Sequence, residues 1–439
     1  MRVQCAIQSQ ETASILVLSL ILAVILGITL GSYLALVRSQ TVLGAESQAW
    51  NSALTLAEAG IEDGMAQINI SYGAVLAPTN YVQSITANWG SLTGGVYVRS
   101  NTLNGGSYST SVLPTNPGPI LTATGYTTVA LVGRPIARIV QVTTAPLPTF
   151  GNGMAALLSV TTKGNKLTID SYDSADPLHS TNGMYDAATR KAGGDVANLT
   201  GNVNVQNANI YGHLKLGPTA TYTINSGTVG DLTWAGPGIE SGWLANDFNM
   251  VPGDVVAPYN SGFSVPVNKN NATNTYPLST GNYYVDGDFV MSQNETMNVS
   301  GTVKLYVTGN VTMKSQSACF INILPGASLQ LFVGTVDGPA VSAKLTQVNL
   351  TGNAFNFGYY GLPSNTSVTW DGNNAYVGTI YAPQADFTCG GGGNNTFDYQ
   401  GACVVKTVTM NGKFNFHYDE NLKRVGPVSG FNVTSWKEL

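Results

Sequence analysis

The sequence predicts an α+β chain: a long N-terminal apolar helix, a small antiparallel sheet, and a large mainly-β domain. That domain reads as a right-handed parallel β-helix, with an antiparallel β-sandwich or jelly roll as the alternative. Three observations carry the prediction. Residues 13–37 run for 25 positions without a charge. Residues 73–147 fall into short alternating runs separated by Gly, Pro and Asn. Beyond Met154 no amphipathic helix of useful length is present, and β-like alternation recurs instead.

Composition sets the limits. The 439 residues include 19 basic and 24 acidic side chains, a net charge of −5. Only 10% are charged, against about 25% in an average soluble domain, so hydroxyls and amides must solvate the surface. Hydrophobic residues make up 43%, enough for a core, which excludes wholesale disorder. An acidic, Arg-poor chain lacks the footprint of a nucleic-acid binder, and that partner is excluded.

The first element is the helix. At 1.5 Å per residue, the chargeless stretch 13–37 is about 37 Å long and crosses a hydrocarbon core of about 30 Å with some tilt. Cleavable secretory signals have shorter apolar cores. Arg2 and Glu11 precede the span and Arg38 follows it, so the positive-inside rule gives almost no orientation. Helical spacing continues through Trp50, Leu54, Ala57, Ile61, Met65 and Ile68. The first breaker is Ser71, Tyr72 and Gly73, which predicts one helix from about residue 14 to residue 70. Glu58 and Glu62 lie four apart as a solvated face; without a cleft or a charge partner they are no catalytic pair. Gly27 and Gly31 are four apart inside the span and would allow close helix approach.

An apolar helix after a short polar leader, followed by ALTLAEAGIEDGMAQI at 53–68, resembles the N-terminal region of PilX-type minor pilins and related type IV pilin-like proteins. The AEAGIE of 57–62 is the specific part. The resemblance implies that a prepilin peptidase removes the leader at the cytoplasmic face. It also implies that the helix waits in the membrane and then packs with other pilin-like subunits under the pilus assembly machinery. Aligned on ASILVL, Ala13 becomes the last leader residue and Ser14 the mature N-terminus. Two positions depart from the family pattern: Ala13 or Thr12 replaces the usual Gly, and Leu18 stands where major pilins carry Glu.

The middle segment, with runs at 94–100, 106–113, 119–133 and 135–144, reads as an antiparallel meander with one buried face, since Val140 and Val142 alternate with Gln141 and Thr143. A long helix on such a sheet is also what the resemblance implies for the head. Residues 145–154 hold two prolines and two glycines and mark the interdomain boundary.

In the C-terminal two thirds, Val285, Val307 and Val333 each lie just before a Gly, at spacings of 22 and 26. That is close to one turn of a β-solenoid. Val303, Leu305 and Val307 would point inward, with Lys304 and Thr308 outward. The segments YVDGDF, VTGNVTM, TIYAPQADFT, TVTMNGKFNFHYDENL and SYDSADP resemble an uncharacterised β-helix-like domain found behind PilX-type N-termini in bacterial surface proteins. That resemblance implies architecture and no chemistry.

Catalytic signals are sparse. His179, His213 and His417 are far apart, with no metalloprotease spacing and no GxSxG elbow. Asp286 with Asp288, and Asp419 with Glu420, are tight acidic pairs; turn roles account for the first. Asp173 and Asp176 are the weak candidates for a cation, with loop capping as the plainer role. Cys389 and Cys403 flank a Gly/Asn-rich loop and could form a disulfide in an exported protein, or stay as separate buried thiols. No cofactor is expected.

The expected organisation is a cytoplasmic leader (1–13), a helix (14–72), a sheet head (73–146), a linker (147–155), a β domain (156–427) and a C-terminal tail (428–439). The expected protein is non-enzymatic and bitopic, with its bulk outside the cytoplasm on the cell surface or in a pilus. Leader processing falls to Ala13 and Ser14. Helix packing falls to Gly27, Gly31, Trp50, Leu54, Ala57, Glu58, Ile61 and Glu62. The β domain would meet a surface polysaccharide or a host ligand. The alternative is a tethered β-helix enzyme acting on polysaccharide, or a carbohydrate-binding protein.

Overall fold

The computed structural model describes residues 5–69, 80–103, 105–163, 167–270, 273–314, 319–372, 374–391 and 395–439. A long N-terminal apolar helix is followed by a large, mostly β chain holding both antiparallel and parallel sheets. Two compact units are present: one of Met1–Ile68, Val82–Ala145 and Asn432–Leu439, the other of Asn69–Tyr81 and Pro146–Phe431.

In the first unit, α1 runs from Cys5 to Asn69 without a break. No proline interrupts it, so its backbone ladder is continuous. Its first half exposes a row of large apolar side chains, from Ile15 to Leu36, each more than half exposed with few exceptions. Its second half packs on an antiparallel sheet of β1 (Tyr97–Leu103), β2 (Gly106–Leu113), β3 (Ile120–Thr128) and β4 (Pro135–Pro148). Alternation sets the buried face: Tyr108, Thr110, Val112, Leu121, Ala123, Val140 and Val142 all point inward.

Two features depart from the sequence reading. A helix α2, Asn80–Trp89, precedes β1. Its β-branched and Asn residues give it little helix propensity, so packing, with Ile85 fully buried, holds it. The final segment, set apart above as a tail, is instead a strand, Val428–Glu438, the neighbour of β4 in this sheet. Thr434 and Ser435 bond Thr143, with hydroxyl distances of 3.1 and 2.6 Å. Its side chains are mostly exposed, so one-sided alternation gives no signal.

The second unit is built from three parallel ladders. In the first, Tyr276, Met297, Ile321, Val348, Tyr376, Tyr399, Phe416, Ile169, Ile210 and Val229 are successive register partners. In the second, Tyr283, Leu305, Leu331, Tyr359, Ile380, Cys403, Met154, Val196 and Leu214 follow one another. In the third, Phe289, Val311, Ala343, Val368, Phe387, Val408, Val160 and Val203 do so. Nearly all are fully buried in one continuous core. Val285, Val307 and Val333 are partners in this register, which is why their spacing repeats.

The stack does not follow chain order. Strands up to Leu244–Ala245 build away from Met154–Thr162, and the chain resumes pairing with a parallel bridge from Phe263 to Tyr283 and then the strand Asn268–Asn270. It then stacks back until Phe397–Met410 pairs with Met154–Thr162 and Phe414–Asp419 pairs with Thr168–Tyr172. These two pairings join the halves. Lys304 and Thr308 are half-buried as outward residues, but Tyr306, Phe332, Tyr360 and Tyr381, also outward, are buried beneath Val255 and Leu422. The Tyr259 hydroxyl sits between the carbonyls of Tyr283 and Lys304, sharing its one proton with both, and the Tyr381 hydroxyl donates to that of Gly253, each at 2.8 Å.

Candidate functional site

Three places carry the residues that the sequence singles out. The first is α1. It is the one helix among the described residues long and apolar enough to cross a membrane. Ala13 and Ser14 lie within its helical backbone. Gly27 and Gly31 face open space, where an added Cβ would meet nothing within 4 Å beyond its own stretch of helix.

The docked half buries a set of residues that shares Ala57 and Ile61 with the one read from the sequence. The residues against the sheet are Ala53, Leu56, Ala57, Gly60, Ile61, Gly64 and Ile68. Trp50 is 51% exposed, Leu54, Glu58 and Met65 are half-buried, and Glu62 is exposed. Small residues win the contact because they let helix and sheet backbones approach. A Cβ on Gly60 would sit 2.6 Å from Thr110 Oγ1, and one on Gly125 2.0 Å from the Ala53 carbonyl oxygen. The Thr110 hydroxyl donates to the Gly60 carbonyl at 2.8 Å. The Gly of AEAGIE therefore has a steric task. Polar pairs rim the contact: Tyr108 donates to Asp63 at 3.1 Å, Arg134 pairs with Glu46 at 3.1 Å, and Arg138 lies 3.7 Å over the Trp50 ring while pairing with Glu438.

The second place is a buried charge cluster where Phe414–Asp419 closes on Thr168–Tyr172. Alternation turns Ile169 and Phe416 into the core and their neighbours Asp170 and His417, themselves register partners, to the outer face. Residues 173–192 cover that face, so both groups are buried. His417 Nδ1 lies 2.5 Å from Asp170 Oδ1, and Nε2 lies 3.4 Å from Asp398 Oδ1, an ion-pair distance. Tyr185 stacks on the imidazole at 3.5 Å and donates to Asp170 Oδ2 at 2.8 Å, with Arg190 3.6 Å from the same oxygen. Burial pulls the His417 pKa down, but the hydrogen bond to Asp170 and the nearby Asp398 charge outweigh it and raise the pKa above its ordinary value. Burial pushes Asp398 up, and the His417 imidazole at ion-pair distance, with a bond from Asn415, more than reverses that. Burial and Asp170 hold the Tyr185 phenol neutral.

Around this pair lie Lys191–Glu420 at 2.5 Å and Lys215–Asp195 at 2.6 Å. Asp419 is pushed up by burial despite bonds from the Ser174 and Asn421 amides. Both ring nitrogens of His417 face carboxylates, so the group is arranged as a charged clasp across the joint. Ser171 Oγ donates to Glu420 at 2.8 Å and accepts from Gly193 N at 2.7 Å, and it takes no part in a Ser-His-Asp relay. Sequence reasoning missed this cluster because Asp170 and His417 are 247 positions apart.

The remaining candidates separate. His179 bonds the Thr189 carbonyl and His213 stacks on Trp243, so the three histidines do not converge. Asp173 accepts from the Ala175 amide and pairs with Arg424 at 2.5 Å, while Asp176 accepts from the Leu178 amide. Burial pushes Asp173 up, and Arg424 reverses the effect and leaves its pKa low. Among the described residues no group of three or more His, Cys, Asp or Glu could hold a metal. Asp286 accepts from the Thr308 hydroxyl and Asp288 from the Asn310 amide, both as turn residues. The disulfide considered for Cys389 and Cys403 is not formed: both are free, buried thiols. They sit in different ladders, Cys389 between Trp370 and Met410, Cys403 between Ile380 and Met154. Burial raises both thiol pKa values, that of Cys403 to about 12.

The third place is a groove on the outward face of the second ladder, described below. No curated protein matches this sequence. The competence-associated pilin ComZ from Thermus thermophilus is similar over 89% of this chain and 97% of its own, at 10% identity and a TM-score of 0.28, below the level of a shared fold. Residues 249–425 match the model of a family described as a domain of unknown function (DUF7305).

Proposed function

We propose that this chain is a non-enzymatic, type IV pilin-like surface protein, anchored and assembled through α1 and displaying its large β unit for adhesion or as a structural element. The observation that carries the reading is the continuity of α1. One unbroken 65-residue helix is bare and apolar at one end and docked on its own sheet at the other. An apolar stretch of that length exposed to water is strongly unfavourable, so it needs a cover of lipid or of other such helices. A lone signal anchor has no need of rigid continuation into a folded head; a subunit that must enter a helical core does.

In this reading residues 1–13 are a cytoplasmic leader. A prepilin peptidase cuts between Ala13 and Ser14, and the PilX-like AEAGIE segment docks the head. Gly27 and Gly31 offer a close-approach face to neighbouring pilin-like subunits. The bulk lies outside the cytoplasm, on the cell surface or in a pilus. We read the three parallel ladders as a right-handed β-helix; the support is that each strand pairs in parallel with its equivalent one turn on, and parallel crossovers favour that hand. The paired carboxylates on both His417 nitrogens support a structural role for the most titratable part of the unit.

The test is the N-terminus of the protein from its native membrane fraction, read by intact mass. A start at Ser14, or one residue to either side, is expected. An intact Met1 terminus overturns leader processing and leaves a permanently anchored protein.

A further inference from the structure

A groove of about 410 Å³ opens on the outward face of the second ladder, within the range of about 300–1,000 Å³ typical of small-molecule sites. Its floor follows from the register. Parallel pairing aligns Thr302 with Ser328, and two residues on, Lys304 with Gln330, Gly358 and Thr379. These outward columns present one side chain per strand, with strands about 4.8 Å apart. Gly358 breaks its column: where its neighbours carry Gln330 and Thr379 it carries nothing, and the Tyr360 ring, 2.9 Å from where its Cβ would lie, forms the bottom of the notch. Phe355, 44% exposed, and Val425, 52% exposed, flank it as apolar walls.

The chemistry of this lining is specific. Lys304 makes no ion pair and the Thr302 and Ser328 hydroxyls make no hydrogen bond among the described residues, and no carboxylate lines the groove. The strands beneath are interior to the ladder, so their amides are committed and the groove offers no free edge to an extended peptide. One cation is too few for a polyphosphate, and the helix Leu422–Val425 at the groove's rim is only four residues long, too short for an anion site at its N-terminus. Repeating hydroxyl and amide groups beside an aromatic face and one unpaired ammonium fit a short run of pyranose rings with one carboxylate placed at the lysine and the other rings exposing theirs to solvent.

We propose that this groove binds a short acidic saccharide, with Lys304 meeting a sugar carboxylate, Phe355 packing on a pyranose face, and Thr302, Ser328 and Gln330 bonding ring hydroxyls. The proposal deepens the adhesive part of the proposed function and rests on the reading of this unit as a displayed binding module.

The experiment titrates the full-length protein in detergent micelles with a galacturonic acid oligomer and with a neutral glucose oligomer of equal length, by calorimetry. The uronate oligomer is expected to bind saturably and the neutral one about tenfold or more weakly, the equivalent of one charge-assisted hydrogen bond. Lys304→Gln is expected to remove that tenfold difference while leaving thermal unfolding unchanged. Phe355→Ala, at an exposed position, should weaken both oligomers. Failure of both oligomers to saturate overturns the proposal, as does equal affinity for the two, or binding indifferent to both substitutions. These outcomes are independent of leader processing. An intact Met1 terminus with uronate binding sinks assembly and spares the groove, and a processed terminus without binding does the reverse.

Discussion

At the residue scale, single side chains do two kinds of work, close approach and charge pairing. Gly125 faces the Ala53 carbonyl so closely that even a methyl must displace backbone. Gly125→Ala is therefore expected to destabilise the head by about 1–3 kcal/mol, read as a lowered midpoint in chemical denaturation. His417 is the chief charge-pairing residue. Its folded-state pKa is raised above 6.5, so its contribution is complete below 6.5 and is lost as pH rises through the folded value. Asp398, whose pKa is depressed, contributes above the ordinary carboxylate range and loses that as pH falls through its folded value. Thermal stability should accordingly peak in weakly acidic solution and decline on the alkaline side. His417→Asn should flatten that decline and cost about 3–5 kcal/mol near pH 6, because Asp170 is left buried without the imidazolium. A melting temperature with the same pH profile in the variant would refute the assignment. The thiols give a third expectation. Cys389 and Cys403 should resist a thiol reagent in the native protein, react in denaturant without prior reduction, and show no disulfide by mass.

At the scale of elements, the lateral surface of each strand is shared with the strands above and below, so a core side chain supports its neighbours along the stack. Trp370 lies between Leu345 and Cys389 in register, packs on Tyr376, Tyr399 and Phe414, and donates its indole N–H to the Thr346 carbonyl at 2.7 Å. Trp370→Ala removes that packing and leaves the carbonyl unpaired. A loss of about 3–5 kcal/mol is expected, measured by denaturant midpoint. The helix α1 follows different logic. Its docking stripe is rich in small residues, so Trp50, Leu54 and Met65, picked out in the sequence by helical spacing, flank the contact. The helical period was legible; which side of the stripe touches the sheet was not, because a sheet at close range selects for absence of volume.

At the scale of the whole molecule, the β unit is assembled out of chain order, and the joint at Met154–Thr162 and Thr168–Tyr172 is made by the last strands of the unit. Deleting residues from 397 onward removes both joining strands and uncovers Met154, Val160 and Ile169. Such a truncation is expected to yield a chain degraded by limited proteolysis within the β unit; an intact protected β fragment would mean that the two halves fold without closure. Two carboxylate pairs, the buried Asp170 with His417 and the half-buried Glu420 with Lys191, lie at this joint.

The sequence by itself determined the type of the main elements, though not of Asn80–Trp89 or Val428–Glu438: chargeless length sets the apolar helix, and alternation with Gly and Asn punctuation sets short strands. The repeat of Val285, Val307 and Val333 even held the register, because side chains stacked in one column must share their chemistry. Tertiary structure alone decided the rest. It recruited Val428–Glu438 to the first sheet, held α2 through Ile85, returned the second half of the β unit onto the first, and set His417 against Asp170. Each is a pairing between segments distant in the chain. Local patterning states which face of a segment must be covered and is silent on which other segment covers it.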